Sequence, residues 1–106
     1  MAEIVFVLST VPAEFDAAAL ARELVALGAA ACVTILPAVQ SVYTWQGAIE
    51  TAREQQLLIK TTGAAVDSLW NALKARHPYD VPEFVVVPVT GGNERYLDWI
   101  RDSVRT

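Results

Sequence analysis

The chain has few of the residues that staple, anchor or attract polyanions. Its 106 residues include a single cysteine, Cys32. No internal disulfide can form, and a small domain without disulfides is expected in a reducing compartment, the cytoplasm. No apolar stretch approaches the roughly 18 residues that span a bilayer, and the start Met1-Ala2-Glu3 lacks the basic residues of a signal peptide. A soluble protein with no membrane partner is expected. Basic residues are also few: 8 Lys and Arg stand against 12 Asp and Glu, a net charge of -4. Without a basic cluster to neutralise phosphates, nucleic acid is a poor partner. GxGxxG, GxxxxGK[ST], GxSxG and HExxH are all missing, which removes the usual support for nucleotide, hydrolase and zinc-protease functions. No nucleophile and base can be paired along the chain, so a non-enzymatic role is expected.

Apolar residues, by contrast, are abundant. The hydrophobic class makes up 54% of the chain and charged residues only 19%. Residues 1–106 suit one domain, and one domain this short has too little interior to hide so much apolar surface alone. Self-association is the consequence. Ile4 to Leu8 is an unbroken apolar run followed by Ser9, Thr10 and Pro12, the pattern of a central strand buried on both faces. Leu20, Leu24 and Leu27 share one helical face after Phe15, and Gly28 stands where a C-terminal cap belongs. Ala29 to Trp45 reads as a long strand bent at Pro37, joined through Gln46-Gly47 to a second extended stretch, Ala48 to Thr61. A second helix is expected over Gly63 to His77, stopped by Pro78, then a short strand from Phe84 to Val89. Asn93 is the N-cap of a last helix with Tyr96, Leu97, Ile100 and Val104 on one face. The order βαββαβ with a C-terminal helix predicts an α+β domain. It is a ferredoxin-like split βαβ arrangement with one antiparallel sheet.

The densest polar cluster is His77-Pro78-Tyr79-Asp80-Val81-Pro82-Glu83. His77 and Glu83 are candidate ligands for a borderline divalent ion, provided the loop between them folds back. The same residues also read as a helix terminus followed by a strand start. Cys32 offers a soft thiolate, or packs as a small hydrophobe. Tyr43, Trp45 and Tyr96 suit ligand stacking or an interface between subunits, and for Tyr43 and Trp45, in a hairpin too long for one helical layer to cover, the interface is preferred. Lys60 and Arg53 suit an anion in a cleft between subunits, or simple solvation.

Ala30-Ala31-Cys32-Val33, Tyr43-Thr44-Trp45-Gln46-Gly47, Ile59-Lys60-Thr61, His77-Pro78-Tyr79-Asp80-Val81-Pro82-Glu83 and Tyr96-Leu97-Asp98-Trp99 resemble, in order, the hallmark segments of the CutA divalent-cation tolerance proteins. The resemblance covers nearly the whole chain. It implies a ferredoxin-like homotrimer similar in assembly to the PII signal transducers. It also implies a role in tolerance of copper and other divalent cations, with His77 and Glu83 as matching ligand positions. Some members carry a cysteine where this chain has Ser9, and a hydroxyl is a poorer ligand than a thiolate for Cu(I). A PII-like alternative would bind a small anion through Lys60, Arg53 or Tyr96 and report it to a partner protein that the sequence does not identify.

Overall fold

The computed structural model describes residues 3–105. Its elements are β1 (Ile4–Pro12), α1 (Ala17–Ala26), β2 (Cys32–Trp45), β3 (Ala48–Thr62), a 3-10 turn (Gly63–Ala65), α2 (Val66–Arg76), β4 (Val85–Pro88) and α3 (Glu94–Ser103). One antiparallel sheet holds all four strands in the order β2-β3-β1-β4. This is the expected ferredoxin-like arrangement, with β1 central.

Alternation along the strands divides the sheet into two unlike faces. On one, Val5, Val7 and Val11 of β1 and Leu57 and Ile59 of β3 pack with Leu20 and Leu24 of α1 and Leu69 and Leu73 of α2. Fully burying such side chains contributes about 1.5–3 kcal/mol each. On the other face lies α3, whose Leu97 and Ile100 close over Ile4 and Ala31. The register turns Phe6, Leu8, Leu58, Leu36, Val85 and Val87 to that second face. None of them is fully buried.

The strand β1 runs four residues past the expected end at Leu8. Ser9, Thr10 and Pro12 pair with Leu57, Gln56 and Glu54, because Pro12 falls on the last rung, where its missing N–H is tolerated. Pro37 does bend β2. Pairing jumps from Leu36↔Gln56 to Val39↔Glu54, a bulge in which Pro37 and Ala38 oppose one residue and Ala38 takes φ 60°. The β2–β3 turn has both central residues at positive φ, Gln46 at 50° and Gly47 at 80°. Those angles suit the two-residue hairpin whose twist matches the strands.

Helix α1 is capped at both ends. Asp16 accepts from the Ala19 N–H at 3.1 Å, and Gly28, at φ 75°, lets its own N–H reach Val25 O and that of Ala29 reach Leu24 O. This Schellman closure uses residues 28 and 29, so β2 starts at Cys32 rather than Ala29, and Leu27 is left half exposed instead of joining the core face. A Cβ at Gly28 would lie 2.7–2.9 Å from the Arg105 side chain, whose backbone N–H bonds Gly28 O at 2.8 Å. Gly28→Ala should therefore cost about 1–2 kcal/mol in left-handed strain and displace the C-terminal segment. Chemical denaturation together with amide exchange at Arg105 would register both.

Candidate functional site

Helix α2 stops at Arg76 because Pro78 forces the preceding residue out of helical geometry, and His77 is extended at φ -78°, ψ 138°. The chain then passes over one end of the sheet. There β1 outruns β4, whose ladder ends at Leu8↔Val85, so the outer edge of β1 beyond Leu8 lacks a strand partner. His77 fills the gap: its Nε2–H donates to Thr10 O at 2.7 Å. The backbone N–H of Tyr79 donates to Nδ1 at 3.0 Å. These roles place the proton on Nε2 and the lone pair on Nδ1. Desolvation holds the imidazole pKa below its ordinary value, with the Thr10 carbonyl and the Glu54 charge opposing, so the neutral ring is favoured.

Three consecutive polar residues of β3, Glu54-Gln55-Gln56, fasten the surroundings of His77, and the first and last of them tie down the loop after it. The Tyr79 hydroxyl donates to Glu54 Oε2 at 2.7 Å, and Glu54 is only 6% exposed. Burial, and next the bond to Glu54, push the Tyr79 phenol pKa well above its ordinary 10.0. Gln55 Nε2 donates to the carbonyls of Pro12, Ala13 and Phe15, at 3.0, 3.3 and 2.8 Å, fastening the turn before α1. Gln56 Nε2 donates to Ser9 O at 2.7 Å and to Glu83 Oε2 at 3.3 Å. Since Thr10 and Gln56 are cross-strand partners, His77 and Glu83 are fastened to the two halves of one rung. The loop thus carries Glu83 back to the strand that pairs with the one His77 bonds.

The other expected residues are placed differently. Cys32 pairs across the strands with Lys60, four residues along β3 from Gln56, or about 13 Å at the usual strand rise. Its Sγ lies 3.8 Å from Thr34 Oγ1. Among the described residues no three His, Cys, Asp or Glu side chains are grouped to hold a metal ion, so Cys32 does not join His77 and Glu83 within one chain. Ser9 is fully buried on the helix-covered face, and its Oγ has no hydrogen-bond partner among the described residues.

Lys60 and Tyr96 do meet. Nζ donates to the Tyr96 hydroxyl at 3.0 Å and lies 5.8 Å from the Phe6 ring centroid and 5.5 Å from that of Tyr96. Arg53 is seven residues before Lys60 on β3, and an odd separation sends it to the opposite face, so it does not share their cleft. Tyr43 and Trp45 stand at the hairpin tip with Val42 and Ile49, all exposed, Ile49 at 78%.

Sequence reasoning overlooked Glu54 and Gln56 as the anchors of the loop. The signal was a polar triplet directly before Leu57-Leu58-Ile59 in a strand flanked on both sides.

With this geometry in view, comparison with known proteins is consistent across sequence and structure. Residues 5–103 match the family model described as CutA1 divalent ion tolerance protein. The divalent-cation tolerance protein CutA of Thermus thermophilus is 47% identical over 97 residues, 92% of this chain and 94% of that protein. The chloroplastic protein CutA 1 of rice is 43% identical over 91% of this chain but 54% of its own length, so the chain spans about half of that relative. The crystal structure of CutA from Xylella fastidiosa superposes with a TM-score of 0.93 at 42% identity, covering 98% of this chain and all of that one.

Proposed function

The chain belongs to the CutA1 divalent ion tolerance family, and from that premise we propose that it is a non-catalytic cytoplasmic homotrimer that binds a divalent cation, copper above others, through His77 and Glu83. The observation carrying the site is the shared Thr10↔Gln56 rung, to which both side chains are fastened. Metal-ligating imidazoles characteristically donate their second N–H to a carbonyl, and His77 donates Nε2–H to Thr10 O. Nδ1 is then the ligating atom. Coordination displaces the Tyr79 N–H from Nδ1, which makes metal uptake a rearrangement of the loop. Copper is favoured because nitrogen and oxygen sites bind Cu(II) more tightly than other first-row divalent ions. One chain offers two donors here, and water or a second subunit completes the sphere.

The trimer is supported by the second sheet face, where Leu36, Val85 and Val87 are exposed, and by the apolar hairpin tip at Tyr43 and Trp45. The cytoplasmic placement rests on the lone thiol, Cys32. No helix among the described residues is long and apolar enough to cross a membrane.

Titration calorimetry of the metal-free protein with Cu(II) and Zn(II) tests the site. Wild type should bind one ion per subunit, His77→Ala none, and Glu83→Gln more weakly, with light scattering reporting the assembly. Glu83 is exposed, so its variant separates ligand loss from misfolding. Equal binding by all three proteins would return His77 to a purely structural role.

A further inference from the structure

The chain closes its own candidate ligand. The Tyr79 N–H donates to His77 Nδ1 at 3.0 Å, and the Nε2–H is committed to Thr10 O at 2.7 Å. An imidazole has two ring nitrogens, so in this arrangement neither offers a free lone pair to a cation. Glu83 is not closed in the same way: Gln56 bonds one of its oxygens, Oε2, and a carboxylate has a second. What separates a closed from an open imidazole is therefore the position of one peptide N–H, and two features hold it. Pro78 fixes its own φ, which removes a backbone rotation that would otherwise swing the Tyr79 amide aside. The Tyr79 side chain is fastened to a different element: its hydroxyl donates to Oε2 of Glu54 at 2.7 Å, and Glu54 is buried within β3. The phenol ring lies 5.1 Å from the imidazole, centroid to centroid.

We propose, resting on the metal reading above, that the Glu54–Tyr79 bond is a latch that regulates metal uptake: it holds the Tyr79 N–H on the His77 lone pair, and Nδ1 is exposed to a divalent cation only when the loop opens. Tyr79 and Glu54 are then positioning residues that act through His77. Only chains with the loop open bind, so the apparent affinity is the intrinsic one reduced by the open fraction. A hydrogen bond to a charged acceptor is strong enough to lower that fraction by about tenfold or more. Breaking the latch weakens the fold and strengthens the metal site at once. A bond with a merely structural role has the other sign, because loosening a preformed site leaves its affinity unchanged or lowers it.

The test is Cu(II) calorimetry at one fixed pH on wild type, His77→Ala, Tyr79→Phe and Glu54→Gln, beside amide exchange at residue 79 in the metal-free proteins, which reads loop opening directly. Tyr79→Phe should bind Cu(II) about tenfold more tightly than wild type, and its residue-79 amide should exchange faster by a similar factor. Glu54→Gln keeps an acceptor for the phenol without the charge and should fall between the two. A Glu54 that served only as a negative charge near the ion would give weaker binding in Glu54→Gln, and that result would overturn the latch. So would a folded Tyr79→Phe protein of wild-type affinity where His77→Ala has lost binding; the metal reading would then stand without the latch. Binding that survives His77→Ala, or none by wild type and Tyr79→Phe alike, would remove the metal reading and the latch with it. Circular dichroism reports folding, and if Tyr79→Phe does not fold, Glu54→Gln decides.

Discussion

Leu58→Asp is expected to dissolve the proposed homotrimer, lowering the mass measured by light scattering from three subunits to one. Leu58 sits on the second sheet face between Leu8 of β1 and Thr34 of β2, at the middle of the surface that α3 leaves open. Within one chain the position is only half-buried, so a carboxylate there disturbs little of the core, which lies on the other face with Leu57 and Ile59. In an assembly built on that face, each copy would bury a charge against apolar neighbours, at several kcal/mol per ion. Charge repulsion among the copies adds to the penalty. Far-ultraviolet circular dichroism should retain the native spectrum while the mass falls. A Leu58→Asp protein that stays trimeric would place the contact elsewhere.

Tyr79→Phe is expected to lower stability by about 1.5–3 kcal/mol, the range for a hydrogen bond to a charged group. The variant strips Glu54, 6% exposed, of the hydroxyl that bonds its Oε2, while the ring keeps its packing beside His77. For a domain of this size the midpoint of thermal unfolding should fall by at least about 4 °C. Glu54→Gln should cost less, since the amide oxygen still accepts from the phenol.

The same pair sets an alkaline limit. The folded Tyr79 pKa is raised above 10.0, so its stabilisation is whole below about pH 10 and is lost as pH rises through the folded value, where only the unfolded chain has already released its proton. His77 acts at the other end. Its folded pKa lies below 6.5, so the unfolded chain takes up a proton first and stability falls as pH drops through about 6.5. Unfolding midpoints measured from pH 5 to 11 should show both limbs. Tyr79→Phe should flatten only the alkaline one; an alkaline limb identical to wild type would detach it from Tyr79.

Much of the fold was legible because the pattern of apolar residues is a local property. Ile4 to Leu8 announced a buried strand, Gly28 the end of α1, Pro37 a break in β2 and Pro78 the end of α2, each through a restriction that acts within a few residues. The errors came where a neighbour distant in sequence compensated. Ser9 to Pro12 read as a strand end, yet β3 pairs with them to the last rung. Leu27 read as core, yet the helix closes at that residue and turns it outward.

The candidate site divides along the same line. The sequence by itself determined the order of elements, the positions of the turns and the chemical inventory of the loop, including its imidazole and carboxylates. Only the tertiary structure decided which groups meet. It bonded His77 to Thr10 and Glu83 to Gln56, buried Glu54 against Tyr79, brought Lys60 to Tyr96, and sent Cys32 and Arg53 elsewhere. The physical reason is that strand alternation and cross-strand register, fixed by pairing across many residues of chain, set the face and rung of every side chain.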